Sequence, residues 1–402
     1  AWVVQKPFGI ILFLSDGLLP RHLTAARLYE GGADHQLALD RMPHLALLNN
    51  SARDFAVPDA AAAATAFATG QKVNHRTLSA NPRGEALPTI LDLARADGRG
   101  VGLVTTGALT AASTAAFYAH TTDARDLSGI AQQFVAAPLL QVVLGGGAAE
   151  FLPLAKGGKR ADGRDLLAEL GGRGLEVVRT KAELEITSNY RDRGLFGIFS
   201  AGPLAYSNQI ESGSGQPSLA DMVRRAIQCL ERNRKGYVLV VDAALVSSAA
   251  ERNDGERVIT ETLALDRAIG TAVKYAGAKS LIVAVGKHST GGMNLNGYPL
   301  RQDHGVALLG TSASGQPAIT WSTGPNGPPP NAGPLPVPSA NPPAASAAAL
   351  PGGAHHEPAA FFAPSALNTA EDVLAVGVGP GSEKLRGFLE NTAVFRLLKE
   401  AL

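Results

Sequence analysis

Residues 9–17 read GIILFLSDG, an uninterrupted apolar run that ends in Ser15, Asp16 and Gly17. Because apolar and polar residues do not alternate, the run predicts a strand buried on both faces, as in a mostly parallel sheet covered by helices. In such a sheet, ligands bind at the carboxyl ends of the strands. The stretch therefore predicts the α/β fold class and places Asp16 where function is expected.

Similar apolar runs recur along the chain, each followed by a Gly-, Ser- or Asp-containing turn and a helical pattern. They occupy residues 100–107, 140–147, 236–243, 280–286 and 373–380. Several of these runs also end in polar residues. The end positions are Thr105 and Thr106, Asp242, and Lys287 with His288 and Ser289. We expect these side chains to meet Asp16 at one edge of the sheet.

One helix is legible in detail. Ser218 and Asp221 form a capping-box pattern before an apolar stripe with helical spacing, which predicts a helix start at residue 219. Cys229, the only cysteine, lies beside that stripe and is interpreted as a packed core thiol rather than a reactive one. A single cysteine excludes an internal disulfide and a cysteine-rich metal site.

Composition excludes several classes of function. The chain has 402 residues and a formal net charge of +1, with scattered Lys and Arg rather than a basic block, so we expect no nucleic-acid partner. Its apolar runs are too short to cross a bilayer, so no membrane span is predicted. Ala1 follows no Met or charged leader, and the sequence leaves open whether this end is processed or trimmed.

Residues 1–402 are predicted to form a single domain with one unusual segment, residues 324–364. That segment is rich in Pro, Gly, Ala and Ser and cannot bury a core, which predicts an extended or partly disordered insertion loop. The alternative is that its bulkier side chains dock it onto the body. Those side chains are His355, His356, Phe361 and Phe362.

A series of motifs resembles the alkaline phosphatase family in the family's own order and over nearly the whole chain. They are ILFLSDG (11–17), VPDAAAAATAFATG (57–70), TTGALTAASTAAFYAHTTD (105–123), VVLGGG (142–147), VLVVDAALVSSAAERND (238–254), KHSTGG (287–292) and NTAEDVLAVGVGPGS (368–382). The resemblance implies a three-layer α/β/α sandwich around a mixed, mainly parallel sheet. It also implies a secreted or periplasmic location and a homodimer.

The chemistry that the resemblance implies is phosphomonoester hydrolysis by a serine nucleophile, assisted by two zinc ions and one magnesium ion, with an arginine that holds the phosphate. The nucleophile position is Ala60 in this chain, and a methyl group cannot attack phosphorus. The arginine position is Ala124. Arg125 is adjacent and could substitute only if the loop shifts.

The first zinc position has Ser247, Glu251 and Asn368 where the family has Asp, His and His. Only the glutamate is a good zinc ligand, so zinc is not expected there.

The second zinc position keeps Asp16 and His288 but has Lys287 in place of a carboxylate. An ammonium group is itself a cation and repels a metal ion. We interpret Lys287 as a built-in replacement for the metal that pairs with Asp16 or Glu251.

The magnesium-like position is the least altered, with two carboxylates and a hydroxyl. Its residues are Asp16, Ser113 and Asp242, and the neighbouring ligand position is the blank Ala111. Such a set could hold Mg²⁺ or Ca²⁺ weakly. The favoured alternative is that Lys287 or Arg125 neutralises the carboxylates, so that no cofactor is bound.

These losses favour a pseudoenzyme that keeps the fold, lacks phosphomonoesterase activity and binds a ligand or partner. The alternative is a metal-dependent phosphoester hydrolase of the alkaline phosphatase type with a rearranged or weak site. Its nucleophile would be a metal-bound water or a hydroxyl such as Ser15, Ser247 or Thr65. A third reading is a scaffold module that uses residues 324–364 as its contact arm.

The helix predicted after Asp59 bears on the ligand. Free N–H groups at a helix start attract anions even without a nucleophile. We therefore expect a phosphate, sulfate or phosphoester ligand, if one binds, near Ala60 and Ala61.

Overall fold

A ten-stranded sheet organises the molecule and is flanked by helices on both faces. The computed structural model describes residues 6–137, 140–187, 193–296, 317–328 and 357–402. The sheet order is β15-β2-β14-β8-β1-β7-β3-β4-β6-β5. The strands are β1 (Gly9–Ser15), β2 (His44–Asn49), β3 (Gly100–Ala108), β4 (Val142–Gly146), β5 (Glu176–Val178), β6 (Leu195–Ile198), β7 (Tyr237–Ala243), β8 (Leu281–Gly286), β9 (Ser289–Thr290), β10 (Asn294–Leu295), β11 (Ile319–Gly324), β12 (Ala359–Phe362), β13 (Asn368–Thr369), β14 (Val373–Val378) and β15 (Arg386–Glu390).

The helices lie mainly between successive strands, as βαβ crossovers require. They are α1 (Pro20–Gly31), α2 (Ala60–Thr69), α3 (Ile90–Ala96), α4 (Ala112–Ala115), α5 (Leu127–Ala136), α6 (Leu166–Gly172), α7 (Lys181–Ile186), α8 (Ser207–Glu211), α9 (Leu219–Leu230), α10 (Leu245–Ala250), α11 (Gly255–Ala276) and α12 (Thr392–Ala401). In the parts of the chain that the structure describes, none of them is long and apolar enough to cross a membrane.

The predicted fold class is confirmed. Strand β1 pairs in parallel with β7 on one side and β8 on the other. Only β14 runs antiparallel to its neighbours β2 and β8, so the sheet is mixed but mainly parallel. All six apolar runs picked out in the sequence are strands of this sheet.

Strand β1 contributes side chains to both hydrophobic layers, which explains its uninterrupted apolar sequence. Ile10, Leu12 and Leu14 pack in one layer, and Ile11 and Phe13 pack in the other. All five side chains are completely buried. Strand β1 therefore runs through the centre of the molecule and places Asp16 directly after its last residue.

Helix α9 follows its predicted start. The Ser218 side chain accepts from the Asp221 N–H, and the Asp221 carboxylate accepts from the Ser218 N–H, so the capping box is confirmed. Cys229 is partly buried against the core, and burial raises the pKa of its thiol. A raised pKa lowers the thiolate fraction, which agrees with a packing role.

Part of the segment predicted as an insertion loop, residues 324–364, lies in a regular strand. Ala359–Phe362 form strand β12, which pairs in parallel with β11 in a small three-stranded sheet. Main-chain pairing with β11 orders this stretch, although Phe361 and Phe362 themselves stay exposed. Residues 329–356 of this segment, which include His355 and His356, lie outside the described residues.

Candidate functional site

The carboxyl ends of four adjacent strands bring the predicted polar residues together. Asp242 of β7 is in register with Leu14 of β1 and with Thr105 of β3. Asp16 follows β1 directly, and Lys287 follows β8 on its other side. These polar side chains are almost completely buried, because helices cover both faces of the sheet.

Lys287 and Asp242 form a buried ion pair. The Lys287 Nζ atom lies 2.9 Å from Asp242 Oδ1 and 3.2 Å from Ser113 Oγ. The other carboxylate oxygen, Asp242 Oδ2, accepts from the hydroxyls of Thr105 at 3.2 Å, Ser113 at 3.1 Å and Thr114 at 3.3 Å. Both charges are therefore compensated, as a buried ion pair requires.

Of the two expectations for Lys287, pairing with Asp16 or Glu251 is wrong, whereas neutralisation of a carboxylate at the magnesium-like position agrees with the contact to Asp242. The sequence suggested Asp16 or Glu251, but the lysine side chain reaches past β1 to Asp242. The Asp16 carboxylate already lies against the His288 imidazole. Asp242 has no cation other than Lys287 within hydrogen-bonding distance among the described residues. The long side chain thus neutralises the carboxylate that would otherwise be buried without a counter-ion.

The magnesium-like position is divided between two clusters. Ser113 and Asp242 contact the Lys287 ammonium, while Asp16 belongs to the cluster with His288. Ala111 precedes the short helix α4 and contributes no side-chain donor. The Lys287 ammonium therefore contacts Ser113 and Asp242, two of the three residues predicted to bind Mg²⁺ or Ca²⁺.

Asp16 and His288 form the second cluster. His288 Nδ1 lies 2.8 Å from Asp16 Oδ1, which also accepts from the Gly17 N–H at 3.0 Å. Burial by itself raises the pKa of Asp16, but His288 and Lys287 outweigh it and hold that pKa below its usual value. Asp16 Oδ2 and His288 Nε2 are buried and have no hydrogen-bond partner among the described residues.

His22 adds a further imidazole that the sequence reading missed. It is buried beside Gly17, and its Nδ1 also lacks a partner within the described part of the chain. Burial lowers its pKa to about 4, so the ring is neutral at ordinary pH. No motif signals this residue, because α1 brings it to the end of β1 only in the folded chain.

The remaining predicted zinc positions lie around this cluster. Ser247 is half-buried in α10, and Glu251 is exposed just after it. The pKa of Glu251 is raised, first by desolvation and then by the charge of Asp16. Asn368 Oδ1 accepts from the Thr290 hydroxyl at 3.0 Å, and its Nδ2 donates to Pro58 O at 2.9 Å. The asparagine thus bridges β9 and the loop before α2.

This donor set fits zinc poorly. Catalytic zinc sites use three protein ligands with nitrogen, sulfur or carboxylate donors. Across the described ranges, no group of three or more His, Cys, Asp or Glu side chains is arranged to hold a metal ion. The amide of Asn368 and the hydroxyl of Ser247 are weak donors for zinc, and the Lys287 ammonium is none.

Helix α2 begins at Ala60 with a side-chain cap. Asp59 Oδ1 accepts from the Ala62 N–H at 2.8 Å, and Asp59 Oδ2 accepts from the Arg76 N–H at 2.7 Å. The N–H groups of Ala60 and Ala61 have no acceptor among the described residues. The cap therefore leaves two donors free at Ala60 and Ala61, where the sequence predicts the nucleophile position.

Neither Ala124 nor Arg125 supplies a free guanidinium to this helix start. Arg125 is exposed and makes a two-bond contact with Asp123, at 2.8 and 3.1 Å. Ala124 donates its N–H to Arg76 O at 2.8 Å. Arg76 therefore lies next to both the arginine position and the Asp59 cap, and its guanidinium has no ion pair in the described structure.

The sequence reading missed Arg76 because no motif contains it. Its backbone has a φ of 61°, in the left-handed region that residues other than Gly, Asn and Asp seldom adopt. Hydrogen bonds on both sides of the residue, to Asp59 and from Ala124, hold this conformation. The only signal available in advance was a basic residue shortly after α2.

Comparison with known proteins agrees with the motifs. A family model described as "Alkaline phosphatase" matches residues 9–402. The tissue-nonspecific alkaline phosphatase isozyme of Gallus gallus is 29% identical over 372 residues, which cover 79% of this chain and 71% of that protein. Alkaline phosphatase 4 of Bacillus subtilis (strain 168) is 27% identical over 423 residues, which cover 97% of this chain and 88% of that protein.

The fold is also similar to a solved structure. The Thermus thermophilus alkaline phosphatase superposes with a TM-score of 0.77 at 26% identity. The match covers 99% of this chain and 92% of that one. Similarity over nearly the full length indicates that the sheet and its covering helices correspond throughout.

Proposed function

The chain belongs to the alkaline phosphatase family, and we propose that it is a member without phosphomonoesterase activity whose site binds a ligand or partner instead. The observation that carries this proposal is the buried Lys287–Asp242 pair. A lysine ammonium here supplies internally the positive charge that a metal ion would supply from solution. The residues at the predicted nucleophile, arginine and zinc positions also differ from the family's, which supports a change of the site as a whole rather than of one residue.

The electrostatics argue against a metal ion beside this pair. Two unit positive charges about 4 Å apart repel by about 4 kcal/mol at an effective dielectric constant of about 20, and a divalent ion doubles that figure. Lys287 is also buried, so displacing it from Asp242 leaves an uncompensated charge in the interior. We therefore propose that zinc does not bind and that Mg²⁺ or Ca²⁺ binds at most weakly.

The nucleophile and the phosphate-binding arginine argue in the same direction. Ala60 has no nucleophilic atom, and the Arg125 guanidinium is occupied by Asp123. Either loss alone removes a major part of phosphoryl-transfer catalysis, which depends on a placed nucleophile and on charge stabilisation.

The alternative, a hydrolase with a rearranged or weak site, would need another nucleophile. Ser15 and Thr65 are buried and donate to backbone carbonyls, at 3.1 Å to Asp16 O and 3.2 Å to Thr77 O. Ser247 is half-buried and makes no side-chain hydrogen bond within the described residues. It is therefore the hydroxyl to test if hydrolysis is found.

The proposal is tested by metal analysis of the purified protein and by assay of p-nitrophenyl phosphate with zinc and magnesium added. We expect less than stoichiometric zinc and no turnover above buffer. Stoichiometric zinc together with turnover above background would overturn the proposal. Loss of that turnover in Ser247→Ala would then assign the rearranged mechanism.

A restoration experiment tests the correspondence of positions. The variant carries Ala60→Ser, Ser247→Asp, Glu251→His, Lys287→Asp and Asn368→His. Its matched control carries the same changes except Ala60→Ser. We expect both proteins to bind zinc and only the first to hydrolyse p-nitrophenyl phosphate, because only the first has a nucleophile. Equal activity in the two would contradict the assignment of Ala60 as the nucleophile position.

Two further properties are proposed from family membership alone, a secreted or periplasmic location and a homodimer. Fractionation of the native source tests the first. Light scattering on a size-exclusion column tests the second. A cytosolic protein or a stable monomer at micromolar concentration would contradict the respective proposal.

A further inference from the structure

A cavity of about 300 Å³ lies beside the carboxyl end of β3, and none of Asp16, Asp242, Lys287 and His288 lines it. Thr106 lines it from the sheet, Leu245 from α10, Leu219 from the start of α9, and Glu261 and Ala264 from α11. Its volume is at the lower end of the range for small-molecule sites, and the end of a parallel strand is where such sites occur in α/β folds.

Glu261 is the distinctive residue of this cavity. Its side chain is 4% exposed, and it accepts from the Ser207 N–H at 2.6 Å. In the described parts of the chain it makes no ion pair. Burial raises the pKa of its carboxyl. A buried carboxylate with only neutral donors gains free energy from any cation that reaches it.

The other charges around the cavity are already paired. Lys181 Nζ lies 2.9 Å from Asp221 Oδ2. Arg267 Nη1 lies 2.8 Å from Glu211 Oε1. These two pairs cancel, so among the described residues Glu261 is the charge of the lining that has no ion-pair partner. Arg257, which does not line the cavity and is paired with Asp254, acts on Glu261 only from beyond ion-pair distance.

We propose that this cavity binds a small organic cation, with an ammonium or amidinium group on Glu261 and an apolar body against Leu219, Leu245 and Ala264. An anion would meet an unpaired carboxylate and two cations that are already neutralised, so anions are disfavoured. The proposal uses none of the residues on which the proposed loss of phosphatase activity rests. Either can fail without the other.

A purely structural role for Glu261 is the competing account, because its carboxylate satisfies a backbone N–H at the start of α8. The two accounts differ in what they predict for ligands. A structural role predicts that Glu261→Gln alters stability only. A binding role predicts that it also weakens binding of cations and leaves neutral analogues unaffected.

The test uses benzylamine and benzamidine as probes, with benzoate and benzyl alcohol as matched anionic and neutral controls. Binding is followed by calorimetry at about pH 8, well above the unperturbed pKa of a glutamate. We expect both cations to bind and benzoate not to bind. In Glu261→Gln, affinity for the cations should fall about tenfold or more, as expected for the loss of a charge-assisted hydrogen bond.

Two further variants keep the test decisive. Ala264→Leu fills the cavity without changing charge and should abolish binding, which provides a readout if Glu261→Gln folds poorly. Glu256→Gln changes another glutamate of α11 that does not line the cavity, and its affinity should equal the wild type. Absence of cation binding in the wild type, equal binding of benzoate, or an equal loss in Glu256→Gln would overturn the proposal.

Discussion

Asp242 and Glu357 are both buried carboxylates, yet only Asp242 has a cation within hydrogen-bonding distance among the described residues. Asp242 faces the Lys287 ammonium and three hydroxyls. Glu357 Oε2 accepts from the Gly255 N–H at 2.8 Å and from Trp321 Nε1 at 3.2 Å. Its Oε1 is buried without a partner in the described structure.

The difference illustrates two ways of accommodating a buried acid. At Asp242 an internal cation, the Lys287 ammonium, lies against the carboxylate. At Glu357, burial and the nearby charge of Asp254 raise the pKa to about 7, although the Gly255 and Trp321 donors act against that rise. Glu357 therefore takes up a proton near neutrality. Burial of Asp242 is thus made favourable by the Lys287 side chain, whereas burial of Glu357 becomes less costly as the pH falls.

The largest expected effect comes from removing the internal cation. Lys287→Met leaves Asp242 buried without a counter-ion, which we expect to cost about 3–5 kcal/mol of unfolding free energy. Urea unfolding at neutral pH measures this directly. The double variant Lys287→Met with Asp242→Asn removes both charges and should recover most of the loss. A single variant within about 1 kcal/mol of the wild type would show that Lys287 does not balance a buried charge.

The second prediction concerns pH. The folded-state pKa of Glu357 lies above its unfolded value of 4.5, so the folded chain binds more protons. Stability is then fully present below about pH 4.5 and is lost as pH rises to about 7, by about 3 kcal/mol. We expect Glu357→Gln to remove this loss, as measured by urea unfolding at several pH values.

The matched control for this comparison is Glu383→Gln, an exposed glutamate outside the small three-stranded sheet. It should leave the pH profile unchanged. A profile that is the same in wild type and Glu357→Gln would mean that Glu357 titrates as an ordinary exposed carboxyl.

The third prediction is that a metal ion can replace the Lys287 ammonium beside Asp242 when the lysine is removed. In Lys287→Met the carboxylate and the hydroxyls of Thr105, Ser113 and Thr114 remain without an ammonium, so millimolar Mg²⁺ or Ca²⁺ should stabilise the variant. The expected gain is about 1 kcal/mol if the cation concentration is a few times its Kd. The wild type should not respond. A response of equal size in both proteins would place the bound cation elsewhere.

Much of the fold could be predicted because the central strands are buried on both faces. Strand β1 and its neighbours are apolar at almost every buried position before their carboxyl ends, and that property is visible locally. Strands β15 and β2 were missed because they are the last two strands at one end of the sheet, where Phe388, Leu45 and Leu47 are exposed and the sequence no longer reads as continuously buried. Strands β5 and β6, at the opposite end, were missed as well.

The site was only partly predictable for a different reason. The motifs identify which residues surround the strand ends, but not which of two carboxylates a long lysine side chain reaches. Lys287 contacts Asp242 across the intervening strand β1, while His288 is the residue that contacts Asp16. The sequence does not show how the two side chains divide the two carboxylates. Arg76 was missed because two hydrogen bonds from distant residues hold its backbone beside α2.

The smallest expected effect concerns the start of α2. The free N–H groups of Ala60 and Ala61, together with the helix dipole, should bind phosphate weakly. Millimolar phosphate should therefore stabilise the protein by less than about 1 kcal/mol, which is measured as a small rise in Tm. Arg76 and Arg125 provide a matched pair of variants. Because the Arg125 guanidinium is held by Asp123, Arg125→Ala should keep the shift, whereas Arg76→Ala should reduce it. No shift in the wild type would count against an anion pocket here, and would leave the helix start with a capping role alone.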